Sequence, residues 1–370
     1  MATEFDRIVI GAGIFGAYTS ILLAEKGHRV LLIDQERKLL ARASMVNQAR
    51  LHTGLHYPRS FLTAKHAFDE YSKFRNLFKE AIRDFDQFYA ISAFGSKTNG
   101  TEFRRFIQRL GVSVNEIDPE IWFNPGTVTD AFQVEEPTFD FLVLRKILEN
   151  MLAEHPNTEI RLGEKVVSGN ADRDEISVEL STNEIVRTAG LVFATYASTN
   201  GLRKQMGLDL LGVDHEITEI VIGEVGPNLN QKGFTVMDGP FWSMMPFGLG
   251  NRVSLTAVGI TPLRRSVGSA IFDCQALESN CNEFALGNCT SCPSRPKSCM
   301  SHQKQQMKLY LKHGSEFQEK ESLFTVKAVL TAASIDDARP TVIYKEQDKN
   351  IWTILSGKVS SILSLEAGLA

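Results

Sequence analysis

The 370-residue chain has no long apolar run, no repeats and no low-complexity tract, and each of these absences excludes a class of protein. No stretch is apolar over the roughly 20 residues that a membrane-spanning helix needs. The formal net charge of −4 argues against the clustered basic face that nucleic-acid binding requires. The first apolar run lacks the basic lead-in and the small-residue cleavage site of a signal peptide. We therefore expect a cytoplasmic protein without a transmembrane segment and without a nucleic-acid partner.

Cysteine is scarce, and all five cysteines lie within an insert at residues 274–299. An odd number in a protein expected to be cytosolic argues against a disulfide framework. Four of the thiols could close a tetrahedral zinc site or hold an iron–sulfur cluster, although only one C-x-x-C pair is present. The alternative is a set of reduced thiols in a surface insert. The candidate metal ligands are Cys281, Cys289, Cys292 and Cys299.

What the chain does contain is a complete dinucleotide-binding pattern in residues 7–34. An apolar run leads into the sequence GAGIFG, a helical segment follows, and a second apolar run ends at Asp34. Gly11 allows the tight turn, Gly13 lets a pyrophosphate approach the backbone, and Gly16 lets the helix pack against the sheet. The helix N-terminus attracts phosphate, and the carboxylate of Asp34 can accept hydrogen bonds from a ribose diol. The pattern predicts a βαβ unit that binds a dinucleotide.

The remaining chain is long enough for two domains. Apolar spacing predicts helices within residues 61–85 and 138–154. The small, apolar run at 190–194 is typical of a buried parallel strand that returns to the nucleotide-binding sheet. Residues 216–258 are rich in strands that suit an antiparallel sheet in a second domain. A final strand is predicted at 351–355, before a terminal helix.

Three further stretches carry a family resemblance. Residues 43–58 contain Ala-Ser and then LHTGLHYP, residues 193–198 read FATYAS, and residues 338–360 include Ala-Arg-Pro and SGKVS. Together with the first motif they resemble, over nearly the whole chain, the flavin-dependent D-amino-acid-oxidase superfamily. That superfamily includes glycine and sarcosine oxidases, glycerol-3-phosphate dehydrogenases and L-2-hydroxyglutarate dehydrogenases. The LHTGLHYP stretch is similar to the His-Ala-Gly-Ile-Tyr-Tyr-Pro stretch of the 2-hydroxyglutarate enzymes, whereas Tyr196 stands where glycine is usual.

The resemblance implies an α/β fold with a Rossmann-like FAD-binding domain of the glutathione-reductase type and a second, α+β domain whose antiparallel sheet covers the flavin. The FAD-binding domain would be discontinuous and comprise residues 1–90, 145–205 and 325–370. Residues 91–144 and 206–324 would form the substrate domain. The cofactor would be FAD in an extended form, and the N-terminus of the last helix would stabilise negative charge on the reduced ring.

The resemblance also implies a set of FAD-binding residues that is spread over the chain. The pyrophosphate would lie on the glycine turn, the ribose on the acidic residue, and the flavin between the loop at 44–55 and the C-terminal turn. The set comprises Gly11, Gly13, Ile14, Phe15, Gly16, Asp34, Gln35, Ala43, Ser44, Arg50, Leu51, His52, Thr53, Gly54, Val166, Val167, Ala194, Thr195, Tyr196, Arg339, Gly357, Lys358 and Val359.

Four residues are candidates for catalysis: His52, His56, Arg339 and Tyr196. An imidazole has a pKa near working pH, so His52, which matches the family histidine, could take a proton from a hydroxyl substrate, with His56 as a weaker candidate. The guanidinium of Arg339 could hold a substrate carboxylate, or it could be a surface group that pairs with a neighbouring aspartate. Either Tyr196 enters the site or its turn is reshaped.

The predicted function is an FAD-dependent oxidoreductase that takes hydride from the CH–OH carbon of a small polar, 2-hydroxy-acid-like substrate. An amino acid or amine oxidase that acts on a CH–NH centre is the close alternative. A non-catalytic FAD-binding protein and an NAD-dependent dehydrogenase are alternatives of other classes. The electron acceptor stays open between oxygen, a quinone and another carrier, and the sequence indicates no oligomeric state.

Overall fold

The computed structural model describes residues 4–172, 175–331 and 341–368. Within them the chain forms seven α-helices and twenty strands. The helices are α1 (Ile14–Glu25), α2 (Phe61–Leu77), α3 (Gly100–Leu110), α4 (Phe141–Ala153), α5 (Thr199–Gln205), α6 (Met300–Tyr310) and α7 (Leu365–Gly368). In these ranges no helix has the length and apolar character that crossing a membrane requires.

The strands belong to two large sheets and two small ones. In chain order they are β1 (Arg7–Ile10), β2 (Val30–Asp34), β3 (Ile82–Arg83), β4 (Asp86–Ser92), β5 (Asn115–Ile117), β6 (Val128–Val134), β7 (Thr138–Phe139), β8 (Thr158–Leu162), β9 (Val166–Ala171), β10 (Ile176–Leu180), β11 (Ile185–Thr188), β12 (Leu191–Phe193), β13 (Val213–Glu224), β14 (Lys232–Met237), β15 (Trp242–Pro246), β16 (Arg252–Ala257), β17 (Pro262–Val267), β18 (Gln318–Leu330), β19 (Val342–Lys345) and β20 (Ile351–Leu355).

The first large sheet has the order β19-β20-β12-β1-β2-β8 and is parallel except at β19. Its central strands are buried on both faces. Val9 and Leu32 pack towards α1, α2 and α4. Ile8 and Leu31 pack on the opposite face, towards the small antiparallel sheet β9–β11 and α5. This three-layer arrangement confirms the predicted α/β fold class and the predicted βαβ unit.

The second large sheet has the order β17-β13-β16-β15-β14-β4-β6-β5, with β18 paired to the other edge of β13. Strands β13 to β16 are antiparallel, as the sequence predicts for residues 216–258. The β4–β14 pair is parallel. Strand β4 follows β3, which pairs with β7 in a separate small sheet, so no hairpin turn connects β4 to β14.

Several predicted elements have different bounds in the structure. The helix predicted within 61–85 ends at Leu77, and Ile82–Arg83 pairs with Thr138–Phe139 as a short strand. The terminal helix starts as a 3₁₀ helix over Val359–Ser364. Residues 325–330, which we place in the FAD-binding domain, continue β18 in the second sheet. The domain boundaries remain a prediction.

A buried arginine ties α5 to the edge of the first sheet. The side chain of Arg203 is fully buried, and its Nη2 lies 2.6 Å from Oε1 of Glu346. Its Nη1 donates to the hydroxyl of Thr353 on β20 at 2.8 Å. Its Nε donates to the carbonyl of Asp209 at 2.7 Å. Two sides of the guanidinium thus donate hydrogen bonds, and the third is paired with a carboxylate by charge without a hydrogen bond, which gives the buried cation a counter-charge.

Candidate active site

A cavity of about 470 Å³ lies between the two large sheets and is lined by residues from both. It brings together most of the sequence-predicted residues, although they come from six separate stretches of chain. Those that line it are Gly11, Gly13, Ile14, Phe15, Asp34, Gln35, Ala43, Ser44, Arg50, His52, His56, Val166, Ala194, Thr195, Tyr196, Gly357, Lys358 and Val359. Gly16, Leu51, Thr53, Gly54 and Val167 are not among the lining residues. Arg339 lies outside the described residues.

Gly11 and Gly16 in the turn after β1 leave no room for a Cβ atom. Gly11 has φ +102°, and a Cβ there would lie 2.5 Å from the carbonyl oxygen of Ala194. A Cβ at Gly16 would lie 1.7 Å from the carbonyl oxygen of Gly11, which explains why Gly16 packs behind the turn instead of lining the cavity. The hydroxyl of Ser44 accepts a hydrogen bond from the Ile14 amide at 3.1 Å.

Asp34 lies at the end of β2, and its carboxylate accepts a hydrogen bond from the turn. Its Oδ2 accepts from the Ala12 amide at 2.5 Å, and its Oδ1 accepts from the Glu36 amide at 2.7 Å. Burial raises the pKa of Asp34, and the two amide hydrogen bonds oppose that shift. The carboxylate therefore lines the cavity in a fixed orientation beside the start of α1.

His52 forms a pair with a buried carboxylate that the sequence did not indicate. Its Nδ1 lies 2.6 Å from Oε1 of Glu136, which is 1% exposed. The hydroxyl of Tyr89 donates to the second oxygen, Oε2. His52 itself keeps a side-chain exposure of 18% on the cavity side. The arrangement leaves one edge of the imidazole on the carboxylate and the other towards the cavity.

The charge states in this pair follow from their surroundings. Burial lowers the pKa of His52, the carboxylate of Glu136 opposes that shift, and Arg50 and Lys358 add to it. Burial alone would raise the pKa of Glu136, but the interaction with His52, the charge of Arg50 and the hydrogen bonds from His52 and Tyr89 together lower it. The lowered pKa of His52 favours a neutral imidazole, and the lowered pKa of Glu136 favours an ionised carboxylate as its partner.

Cations and aromatic rings surround this pair. The Nη1 of Arg50 lies 3.3 Å from Nδ1 of His56 and 3.4 Å from the hydroxyl oxygen of Tyr89. The ring centroids of His52 and His56 are 5.0 Å apart. The ammonium of Lys358, from the C-terminal turn, lies 4.2 Å from the ring centroid of Tyr57. The cavity therefore presents positive charge on the same side as the two histidines.

Tyr196 adopts a backbone conformation that favours glycine. Its φ is +51°, in the left-handed region that non-glycine residues seldom occupy. The tyrosine lines the cavity and packs against a cluster that includes Ala197, Ile217 and Phe272. The side chain of Tyr196 therefore lies beside the cavity.

The cysteine insert contributes a wall of the same cavity, which the sequence did not suggest. The carbonyl oxygen of Leu286 accepts hydrogen bonds from Arg42 Nη1 at 2.5 Å and from Gln35 Nε2 at 3.3 Å. Arg42 is held in turn by Glu36, whose Oε1 lies 2.7 Å from its Nε. Leu286, Gly287, Asn288 and Cys289 line the cavity beside these groups. A backbone carbonyl leaves no pattern in a sequence, so no signal could have found it.

The match to known families agrees with this geometry. A family model described as FAD-dependent oxidoreductase (DAO) matches residues 6–257. The chain belongs to this family. A FAD-dependent monooxygenase, FPY4, of Fusarium mangiferae is 28% identical over 256 residues, which cover 69% of this chain and 64% of that protein. The chain thus spans less than two thirds of the length of this curated relative.

Solved structures show the same fold in other members of the DAO family. Glycine oxidase from Geobacillus kaustophilus superposes with a TM-score of 0.74 at 14% identity, covering 100% of this chain and 93% of its own. L-α-glycerophosphate oxidase from Mycoplasma pneumoniae, solved with FAD bound, gives a TM-score of 0.72 at 14% identity, covering 100% and 94%. At these identities the similarity establishes the fold alone.

The cavity of this DAO-family chain fits the FAD that the family model names. The glycine turn forms a cradle that a Cβ at Gly11 would fill, and it opens at the N-terminus of α1, where anions are favoured. The half-buried carboxylate of Asp34 lies beside the turn. The cavity continues without a break to His52 and Lys358, and therefore one extended ligand can contact both regions.

The cysteines do not form the metal site considered from the sequence. In residues 4–172, 175–331 and 341–368, no group of three or more His, Cys, Asp or Glu side chains is arranged to hold a metal ion. All five thiols are free. The thiol of Cys299 instead donates to Glu219 at 2.9 Å. Burial raises the pKa of Cys289 to about 12 and that of Cys299 to about 11, so both thiols are protonated at neutral pH in this arrangement.

Proposed function

We propose that this chain is an FAD-dependent oxidoreductase that oxidises the CH–OH carbon of a small polar, 2-hydroxy-acid-like substrate. Gly11, Gly13, Ile14 and Phe15 would hold the pyrophosphate and Asp34 a ribose. When bound, FAD supplies the acceptor for the hydride that the substrate carbon loses. The proposed cofactor domain, residues 1–90, 145–205 and 325–370, and the proposed cytoplasmic location belong to this proposal.

One observation carries the proposal: His52, with its Nδ1 against the buried carboxylate of Glu136, lines the same cavity as the glycine turn. A hydroxyl group is a weak acid, and its carbon releases hydride only as the proton leaves the oxygen. His52 offers an unprotonated nitrogen for that proton because its other nitrogen is committed to Glu136 at 2.6 Å. General-base assistance of this kind contributes about 10²–10⁴-fold to a rate.

The substrate's acid group would be held by the cations near His52. Among the described residues Arg50 forms no ion pair with a carboxylate within 4 Å, and its contacts with Tyr89 and Gln48 are long, at 3.4 Å. A substrate carboxylate could therefore take a planar, two-pronged position on this guanidinium. Lys358 would add charge from the C-terminal turn. Arg339 stays a candidate for the same role on sequence grounds.

Oxidation of an amine is the second candidate. It is favoured by Glu216 on β13, a carboxylate that lines the cavity and could attract an ammonium group. Glycine oxidase shares the fold, but at 14% identity that similarity does not distinguish the two reactions. A chain that binds FAD without turnover is the alternative outside enzymes. The curated relative is a monooxygenase, so oxygen is one acceptor to test beside quinones.

Anaerobic mixing of the FAD-loaded protein with panels of 2-hydroxy acids and amino acids tests the proposal. We expect a hydroxy acid to bleach the flavin absorbance and amino acids to leave it. His52→Ala should slow that bleaching by about 10²-fold or more while FAD affinity stays nearly unchanged. His66→Ala is the matched control, because His66 is exposed on α2.

Two results would contradict the proposal. Bleaching by amino acids alone would favour the amine reaction, and no bleaching by any compound would favour the non-catalytic alternative. Equal rates for His52→Ala and the wild type would remove His52 from the chemistry. Reoxidation of the bleached protein by oxygen or by a quinone then identifies the electron acceptor.

A further inference from the structure

Glu136 lies between β6 and β7 and is almost completely buried, at 1% exposure. Both carboxylate oxygens are occupied: Oε1 contacts His52 Nδ1 at 2.6 Å, and Oε2 accepts from the hydroxyl of Tyr89. Tyr89 is fully buried, and its oxygen accepts from Arg50 Nη1 at 3.4 Å. A buried carboxylate with two defined partners has only one hydrogen-bonding arrangement available to it.

We propose that Glu136 is a positioning residue, which fixes the proton of His52 on Nδ1 and leaves Nε2 as the proton acceptor that faces the cavity. This inference rests on the proposed function, in which His52 is the base. It assigns to Glu136 and Tyr89 roles that they exert through His52, since the contacts of Glu136 run to His52 and Tyr89 rather than to the cavity.

The direction of each hydrogen bond follows from what the partners can donate. A guanidinium has donors only, so the Tyr89 oxygen must accept from Arg50. The single proton of the Tyr89 hydroxyl is then directed at Glu136. A protonated Glu136 could donate to His52 instead, but its neighbours lower the pKa of Glu136 and so keep it ionised; Oε1 then accepts as well, and Nδ1 of His52 carries the proton. The groups that face His52 and complete its surroundings are Glu136, Arg50, His56, Tyr57 and Lys358.

The substitution Glu136→Gln reverses this arrangement while it keeps the shape of the side chain. The Tyr89 proton still needs an acceptor, so the amide oxygen of the glutamine turns towards Tyr89. The amide NH₂ group then faces His52 Nδ1, which must accept. The proton of His52 moves to Nε2, and the nitrogen that faces the cavity is no longer a base.

The tautomer can be read directly by ¹⁵N-histidine NMR of the FAD-loaded protein, with the His52 signals assigned from a His52→Asn variant. We expect the wild type to carry its proton on Nδ1 and E136Q to carry it on Nε2. Flavin bleaching by the active substrate should slow on the order of 100-fold in E136Q. E135Q is the matched control: Glu135 contacts Tyr71 instead, and its side chain is 70% exposed.

A double variant separates positioning from simple loss of charge. When Tyr89→Phe is added to E136Q, no hydroxyl proton fixes the amide, which can turn its oxygen towards His52. We expect part of the Nδ1–H tautomer and part of the bleaching rate to return. A purely structural role for Glu136 predicts that the double variant is slower than E136Q.

The outcomes distinguish this inference from the proposed function. An Nε2–H tautomer in the wild type would overturn the inference without any variant being needed. Unchanged tautomer and rate in E136Q would overturn it as well. If the tautomers are as expected but His52→Ala bleaches as fast as the wild type, the proposed function fails while the hydrogen-bonding arrangement stands.

Discussion

At the scale of single residues, Gly11 is required both for its backbone angle and for the space above it. Gly11→Ala would place an L-residue at φ +102° and a Cβ 2.5 Å from the Ala194 carbonyl oxygen, so we expect loss of FAD binding and lower stability. Gly27→Ala is the control. Gly27 has φ +85°, and a Cβ added there would have nothing within 4 Å. Gly27→Ala should therefore lower the free energy of unfolding only by the backbone strain, about 1–2 kcal/mol. FAD titration and denaturant unfolding of both variants measure the difference, and equal FAD affinity would contradict the predicted clash.

The neutral state of His52 leads to a pH dependence of flavin reduction. Its pKa lies below the ordinary value of 6.5, chiefly because of burial, so the base is available above that pKa and is lost as acid protonates it. Stopped-flow bleaching rates should be flat above about pH 7 and fall on acidification with a midpoint below 6.5. Below 6.5 the unfolded chain binds this proton more readily than the folded one, so acid should also lower the free energy of unfolding. A midpoint above 6.5 would contradict the assignment.

Single residues also show which parts of the site a sequence can reveal. Gly11, Asp34 and His52 belong to local motifs whose spacing is itself the signal. Glu136 is 84 positions from His52, and an isolated glutamate carries no pattern that would connect the two. The residues proposed to contact FAD or the substrate were therefore open to prediction, and a residue proposed to orient them through a long-range contact was not.

At the scale of elements, the cysteine insert contacts two neighbouring parts of the cavity wall. Besides the contacts of Leu286, the hydroxyl of Thr290 accepts from the Phe324 amide at 2.9 Å and donates to its carbonyl at 3.0 Å. The insert is thus held to β18 on one side and to Arg42 and Gln35 on the other. Apolar periodicity could predict α4 and β20, but an irregular segment of this kind is defined only by what it contacts.

Loss of the hydrogen bond from Arg42 to the Leu286 carbonyl should make the insert at the cavity less ordered. Arg42→Ala loses the charged hydrogen bond to the Leu286 carbonyl and the ion pair with Glu36, so we expect FAD to bind about 10-fold more weakly or worse. Arg295→Ala is the control, because Arg295 also lies in the insert and contacts the Thr290 carbonyl at an exposed position. Fluorescence titration of FAD into the apoprotein measures both. Wild-type affinity in Arg42→Ala would show that the insert does not retain the cofactor.

At the scale of the whole molecule, the Arg203–Glu346 pair joins segments about 140 positions apart. Arg203→Ala leaves the Glu346 carboxylate, 11% exposed, without its partner, so we expect a loss of about 3–5 kcal/mol in the free energy of unfolding. The exposed pair Arg252–Glu321 is the control, and Arg252→Ala should cost less than about 1 kcal/mol. Urea unfolding followed by circular dichroism compares the two. Equal losses in the free energy of unfolding would mean that burial does not increase the contribution of the Arg203–Glu346 pair to stability.

The position of β20 affects how the first sheet folds during synthesis. This strand is among the last described elements, yet it pairs with β12 inside the first sheet and completes the row β20-β12-β1-β2. During synthesis the edge of β12 stays open, with its backbone groups unpaired, until Ile351–Leu355 leaves the ribosome. We expect nascent chains that stop before Ile351 to be cleaved readily by protease and retained by chaperones. Chains that extend beyond Leu355 should become resistant once they are released, which truncations of defined length released from the ribosome can show.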